Sequence, residues 1–184
     1  MAADLVMPTK YIDTVKKVVT QPTQFFKSMP TTGGYVHPTI FLLINSAIGW
    51  VISMLFYGVF KGPFRAAGAD FFGVLVMLPM VIIGVLIAAV IFHILAKLLG
   101  GKGKFEGSYR AICYVSVTSI VNGILVVGFL AALYGFYLGV LGFKGVHKYS
   151  TGKAVATLLI PVGLLMFLGM IAAAIGGLAL FKSG

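Results

Sequence analysis

A chain of 184 residues that is 60% hydrophobic and only 10% charged does not fit a soluble domain, in which roughly a quarter of residues are charged. A mean hydropathy of +1.07 leaves more apolar surface than a globule of this size buries, so lipid is its natural solvent. The net charge of +10 comes from 14 Lys and Arg against 4 Asp and Glu, placed between apolar runs, which points to an anionic membrane face rather than to nucleic acid.

Residues 1–37 are polar to amphipathic. Tyr11, Ile12, Val15, Val18 and Val19 recur at helical spacing with Lys10, Lys16 and Lys17 between them. This pattern suits a helix lying on the membrane surface, or equally one packed on a helical bundle. Pro22 and Pro30 interrupt the segment, and Phe25 and Phe26 between them are placed to dip into the interface. No cleaved signal peptide is expected, because Asp4 comes early and the first long apolar run begins only near Pro38.

The remainder, 38–184, reads as an all-α polytopic bundle of about five transmembrane spans. The first two cover about 38–60 and 72–97, joined by the turn-rich loop 61–70. Pro79 lies inside the second, where a kink is tolerable in a bundle. A basic glycine-rich loop at 100–110 follows. Apolar sequence then runs on to Phe143, too long for one ordinary span and tight for two. The turn dipeptide Asn122-Gly123 divides it into short spans at about 109–122 and 124–143. The loop 144–153 leads to a last span at about 155–181 that contains Pro161.

Charge supports this division, because cytoplasmic loops collect Lys and Arg. With five spans and a cytoplasmic N-terminus, eleven basic residues lie inside and three outside; with four spans the split is nine against five. The C-terminus is then expected outside.

Small residues four apart, which let helices approach closely in lipid, mark candidate packing faces. They are Gly135 and Gly139 on the fourth span and Gly169, Ala173 and Gly177 on the fifth; Asn45, Gly49 and Ser53 form a similar stripe on the first. The third span is the most polar, with Tyr114, Ser116, Thr118, Ser119 and Asn122. These groups suit hydrogen bonds inside the bundle. Ser116, Ser119 and Asn122 could alternatively line a polar pathway.

Chemistry is sparse. The four carboxylates, Asp4, Asp13, Asp70 and Glu106, all lie outside the span centres, which argues against proton-coupled transport and leaves no acid–base pair for catalysis. His37, His93 and His147 lack metal-ligand spacing, and the lone Cys113 supplies neither a disulfide nor a zinc motif. The loop 100–107 lacks the spacing of a phosphate-binding loop. No catalytic residue, cofactor or metal is therefore expected. Glu106 and Arg110, spaced i, i+4, are placed to pair. Lys102, Lys104, Arg110, Lys144 and Lys148 are candidates for contact with anionic lipid headgroups or a partner.

Several elements in order resemble one family. They are Pro22-Thr-Gln-Phe25-Phe26, the stretch Gly100-Gly101-Lys-Gly-Lys-Phe105-Glu106-Gly107-Ser108-Tyr109-Arg110-Ala111, the Gly142-Phe-Lys-Gly-Val-His147 element, and Ser150 to Ala154 opening the last span. Together they resemble the Yip family, the Ypt/Rab-interacting membrane proteins of Golgi traffic and their prokaryotic relatives. The resemblance implies five helices, a cytoplasmic N-terminus and a non-enzymatic role in membrane organisation. The chain lacks the long polar N-terminal region of the eukaryotic members, so it looks like a prokaryotic-type member and Rab binding is not carried over. The expectation is thus a non-enzymatic protein of a prokaryotic cytoplasmic (inner) membrane. It would shape the membrane or recruit partners at its cytoplasmic face, with anionic lipids and a membrane protein or second copy as partners. The rival is a small channel or transporter for a neutral solute or lipid.

Overall fold

The computed structural model describes residues 8–59 and 71–183, with side chains described over 10–56 and 76–171. The expected loop 61–70 and the side chains of Ala173, Gly177 and Lys182 lie outside the described residues. All regular structure among the described residues is helical: α1 (Pro8–Thr20), α2 (Pro22–Ser28), α3 (Val36–Val59), α4 (Phe71–Leu98), α5 (Phe105–Val115) with a 3₁₀ continuation over Ser116–Val121, α6 (Leu125–His147) and α7 (Thr151–Ser183).

Local chemistry sets the boundaries. Pro8 and Pro22 open α1 and α2 at first-turn positions, where their missing N–H is no loss. Gly33 and Gly34, at φ 117° and 89°, turn the chain into α3 through a region that disfavours side chains. Glu106 sits in the first turn of α5, where the helix dipole favours an acid. The passage from α5 into 3₁₀ geometry has a visible cause. Ser116, Thr118 and Ser119 each turn their hydroxyls onto the carbonyl three residues back (Cys113 at 2.6 Å, Val115 at 3.1 Å, Ser116 at 2.7 Å), which favours the tighter winding.

Among the described residues four helices are long and apolar enough to cross a membrane: Val36–Phe56, Val76–Leu98, Leu125–His147 and Thr151–Ile171. The α5–3₁₀ rod does not meet that standard; it is the polar member at the centre. The helices also outrun the spans read from hydropathy. α6 continues to His147 rather than ending near 143, and α7 starts at Thr151 rather than 155. Lysine and glycine dilute the apolar signal there without breaking the backbone ladder. The connection shrinks to 148–150, closed by Lys148 in the left-handed region (φ 55°) with its N–H on the Lys144 carbonyl.

The bundle is built around α5. Leu42 of α3 and Ala89 of α4 pack with Tyr109 and Cys113 on one side of it. On another side Val18, Phe26, Phe41 and Leu138 gather around Ala111, Tyr114 and Val117. A third cluster, Ala96, Val140, Phe143, Ala154 and Leu158, ties α4 and α6 to α7. The outside is strongly apolar, with Ile87, Leu130, Leu165 and Met166 all exposed, as expected of lipid-facing helices. Phe25 and Phe26 correct one expectation. They do not point outward: Phe26 is buried beneath Gly142 and Gly145 of α6, and Phe25 meets the Tyr114 ring edge-on at 5.1 Å.

The small-residue stripe of α3 is where the 3₁₀ segment lies. Asn45 bonds Ser116, a Cβ at Gly49 would collide with the Ser119 carbonyl, and Gly123 packs on Ser53. Gly49→Ala should therefore cost about 1–3 kcal/mol, the usual penalty of overpacking. Gly84→Ala, which meets open space, should be neutral or slightly stabilising. Thermal unfolding in detergent, followed by loss of the monodisperse species, checks this; equal midpoints for the two variants would refute the close α3–3₁₀ packing.

Candidate functional site

The polar centre of the molecule lies at the end where α4 and α6 finish and α3, α5 and α7 begin. His93 of α4, Ser108 of α5 and His147 of α6 form one chain of hydrogen bonds. The Ser108 hydroxyl is 2.9 Å from His93 Nδ1 and 2.8 Å from His147 Nε2. Ser108 and His147 are fully buried. Aromatic rings enclose the group: Phe143 stacks on His147 with 7° between planes, Tyr149 and His93 flank it, and Phe105 meets His93 edge-on.

The direction of this chain follows from satisfaction of its atoms. His147 Nδ1 is buried and meets no protein partner. A proton there would be a buried donor without an acceptor, whereas a bare nitrogen loses less. His147 therefore carries its proton on Nε2 and donates to Ser108 Oγ, and Ser108 donates onward to His93 Nδ1. The Nδ1 edge is sealed by the loop 99–104. A Cβ on Gly101 would lie 2.5 Å from Nδ1, and one on Gly103 would lie 3.1 Å from it. The same loop is tied down by Lys102 N–H donating to the His147 carbonyl and Gly101 N–H donating to the Ala96 carbonyl. These two glycines are there for close approach.

A second polar group braces α5 against the turn before α3. Arg110 Nη1 donates to the Gly34 carbonyl at 2.8 Å, and the Gly34 N–H donates to Glu106 Oε1 at 2.6 Å. Arg110 and Glu106 stand 3.8 Å apart. Across the start of α7 the hydroxyl of Tyr149, in the connection before it, shares a bond of 2.9 Å with that of Thr157, and burial raises the Tyr149 phenol above its ordinary range while that bond partly lowers it.

The residues singled out in the sequence fall into distinct places. Lys102, Lys104, Lys144 and Lys148 are exposed at this end, joined there by Lys97 and Lys153. Lys144 Nζ donates to Thr151 Oγ1 at 2.9 Å, across the α6–α7 connection. Arg110 departs from this group: it is 5% exposed and engaged inside the bundle, because α5 begins at Phe105 and carries Arg110 more than a turn inward. Gly135 packs against Thr118 and Gly139 against Leu158, whereas Gly169 meets open space within the chain. Ser116 and Ser119 turn inward to backbone carbonyls, and Asn122 is exposed at the α6 turn. His37 lies apart from the other two histidines in the bonding pattern. Among the described residues no group of three His, Cys, Asp or Glu converges on a metal position.

A family model for the Yip1 domain matches residues 16–173, most of the chain. The protein belongs to the Yip family, a family of membrane proteins not known as enzymes. No curated protein and no solved structure gives a significant match to it.

The assigned tautomer is directly checkable. Nitrogen NMR of the labelled protein in micelles should show His147 protonated on Nε2 and bare on Nδ1. Ser108→Ala should shift both histidines' resonances and lower the unfolding midpoint, since the fully buried His147 Nε2 loses its partner at about 1–3 kcal/mol and the half-buried His93 Nδ1 loses its own. A protonated Nδ1 at His147, or unmoved His93 resonances in Ser108→Ala, would refute the directional chain.

Proposed function

We propose that this Yip-family protein is a non-enzymatic organiser of its membrane, working through the basic end of the bundle at the cytoplasmic face. The observation that carries this reading is the gathering of six exposed lysines at one end: Lys97, Lys144 and Lys153 at the ends of α4, α6 and α7, and Lys102, Lys104 and Lys148 on the connections between them, with the Lys102 loop held by the buried histidine–serine centre. Six ammonium groups on a braced cap form a fixed surface for anionic headgroups or an acidic partner segment. A cap held rigidly loses little freedom on binding.

The same reading takes the α5–3₁₀ rod as the third of five spans, with the N-terminus in the cytoplasm and the C-terminus outside. Length supports it. Eleven α-helical and six 3₁₀ residues rise about 28 Å, close to the ~30 Å hydrocarbon thickness. The basic cap then lies inside, in accord with the positive-inside rule. The setting is a prokaryotic inner membrane, with anionic lipid as the first partner and a membrane protein or a second copy as further ones. Passage of a neutral solute or lipid along Ser116, Ser119 and Asn122 is the weaker reading, because the first two hydroxyls already bond backbone carbonyls.

The test is lipid selectivity. In mixed bilayers, spin-labelled phosphatidylglycerol should be immobilised by the protein in preference to labelled phosphatidylcholine. Lys102→Glu, Lys104→Glu and Lys148→Glu together should lower that preference severalfold and leave the unfolding midpoint unchanged. Equal preference in the wild-type protein and the triple variant would sink the lipid-binding role of the cap.

A further inference from the structure

The amphipathic helix α1 is seated unexpectedly deep. Tyr11 Oη donates to Asn45 Oδ1 at 2.6 Å, and the Tyr11 ring packs on Phe41 at 5.5 Å. At its other end the Val19 carbonyl accepts from Tyr134 Oη at 2.7 Å, and between them Val18 is fully buried. The helix thus straps across from α3 to α6. Asn45 is the tenth residue of the candidate span Val36–Phe56, and Tyr134 the tenth of Leu125–His147. Both attachments are at mid-height, about 13–20 Å along their helices from the basic end at 1.5 Å per residue.

The outward face of this strap is mixed, with charged residues beside exposed Ile12 and Val19. Lys16, Lys17 and Asp13 are exposed on it, with Lys10 alongside, while neighbouring surface at that height is lipid-facing, as at Ile48, Leu130 and Leu133. Ammonium groups facing hydrocarbon are strongly unfavourable. Either the helix leaves or the bilayer yields. Leaving would break the Tyr11–Asn45 and Tyr134–Val19 bonds and strand the Asn45 amide oxygen in an apolar setting. Thinning of a bilayer beside a short polar surface costs only a modest amount per ångström. The bilayer is the softer partner.

We propose that docked α1 is a headgroup-binding strap: it holds Lys16 and Lys17 halfway up one side of the bundle and draws the anionic phospholipid headgroups of the near leaflet inward to meet them. The leaflet is dented on the α3–α6 side and of normal depth on the α4 side, where Ile87 is exposed at similar height. A one-sided dent is a mechanical route to membrane shaping, so the inference deepens the proposed function while resting on residues outside the cap.

The experiment uses the full chain with Cys113→Ala and nitroxides at Ile12→Cys and, separately, Ile87→Cys, in phosphatidylcholine–phosphatidylglycerol bilayers. Ile12 should be severalfold more accessible to a water-soluble nickel reagent than Ile87, which should favour oxygen. The spin–spin distance in an Ile12→Cys/Tyr137→Cys pair should be the same in bilayers as in micelles. In Lys16→Leu/Lys17→Leu the nickel accessibility at Ile12 should fall towards that of Ile87 at unchanged distance. A hydrocarbon reading at Ile12 in the parent protein overturns the dent. A lengthened Ile12–Tyr137 distance in bilayers overturns docking. An unchanged reading in the Leu/Leu variant overturns the role of the two lysines. The cap triple variant should leave all of these values unmoved, so failure here is separable from failure of the cap.

Discussion

The polar face of α5 must be satisfied by protein, and the rest of the bundle is arranged around that need. In a lipid environment a free hydroxyl, guanidinium or imidazole has no water to turn to. Ser108 is answered by two histidines from two other helices, Arg110 Nη1 by a glycine carbonyl with Glu106 beside it while its buried Nε meets no protein partner, and Tyr109 by the Thr39 hydroxyl at 2.7 Å. Ser116, Thr118 and Ser119 answer themselves by bonding back along the chain, and that choice draws the helix into 3₁₀ winding. The apolar helices α3, α4, α6 and α7 have no hydrophobic reason to associate in lipid; polar bonds to α5 and close contacts at Gly49, Gly135 and Gly139 supply one.

The same centre connects packing to the proposed working surface. The histidine–serine chain fixes the end of α6 against α4 and α5, and His147's carbonyl in turn fixes the glycine loop that carries Lys102 and Lys104. The exposed charge of the cap is thereby presented on a stiff base. At mid-height, Asn45 does the corresponding work for α1, accepting from Tyr11 and donating to Ser116. Two buried polar junctions thus position two basic surfaces, one at the end of the bundle and one along its side.

Much of this architecture was legible in the residues. Composition and apolar runs identify a helical membrane protein, and the order of motifs from Pro22 to Ala154 points to the family. The stripe Asn45, Gly49, Ser53 is visible as a packing face, although not which segment it receives. Other features depend on tertiary proximity. His93, Ser108 and His147 are separated by fifteen and thirty-nine residues, and no local pattern joins them. Sequence alone groups Arg110 with the cap lysines, because hydropathy cannot say that α5 starts at Phe105 and turns that side chain inward. The segment 144–147 read as loop because Lys144 and Gly145 dilute the apolar signal, yet the backbone ladder runs through them to the left-handed stop at Lys148. Phe25 and Phe26 read as interface anchors, since nothing in sequence reveals the gap at Gly142 and Gly145 that receives Phe26.

In the proposed topology α5 passes through the bilayer as the polar third of five alternating spans. Its most direct test is the sidedness of the two ends of that rod. Single cysteines at Lys102 and Asn122, both exposed, in the Cys113→Ala protein would be treated with a membrane-impermeant maleimide in intact cells and again after permeabilisation. In that topology Asn122→Cys reacts in intact cells and Lys102→Cys reacts only once the cytoplasm is opened. Labelling of both positions from the same side would contradict it, and α5 would then be a re-entrant core element within a four-span bundle.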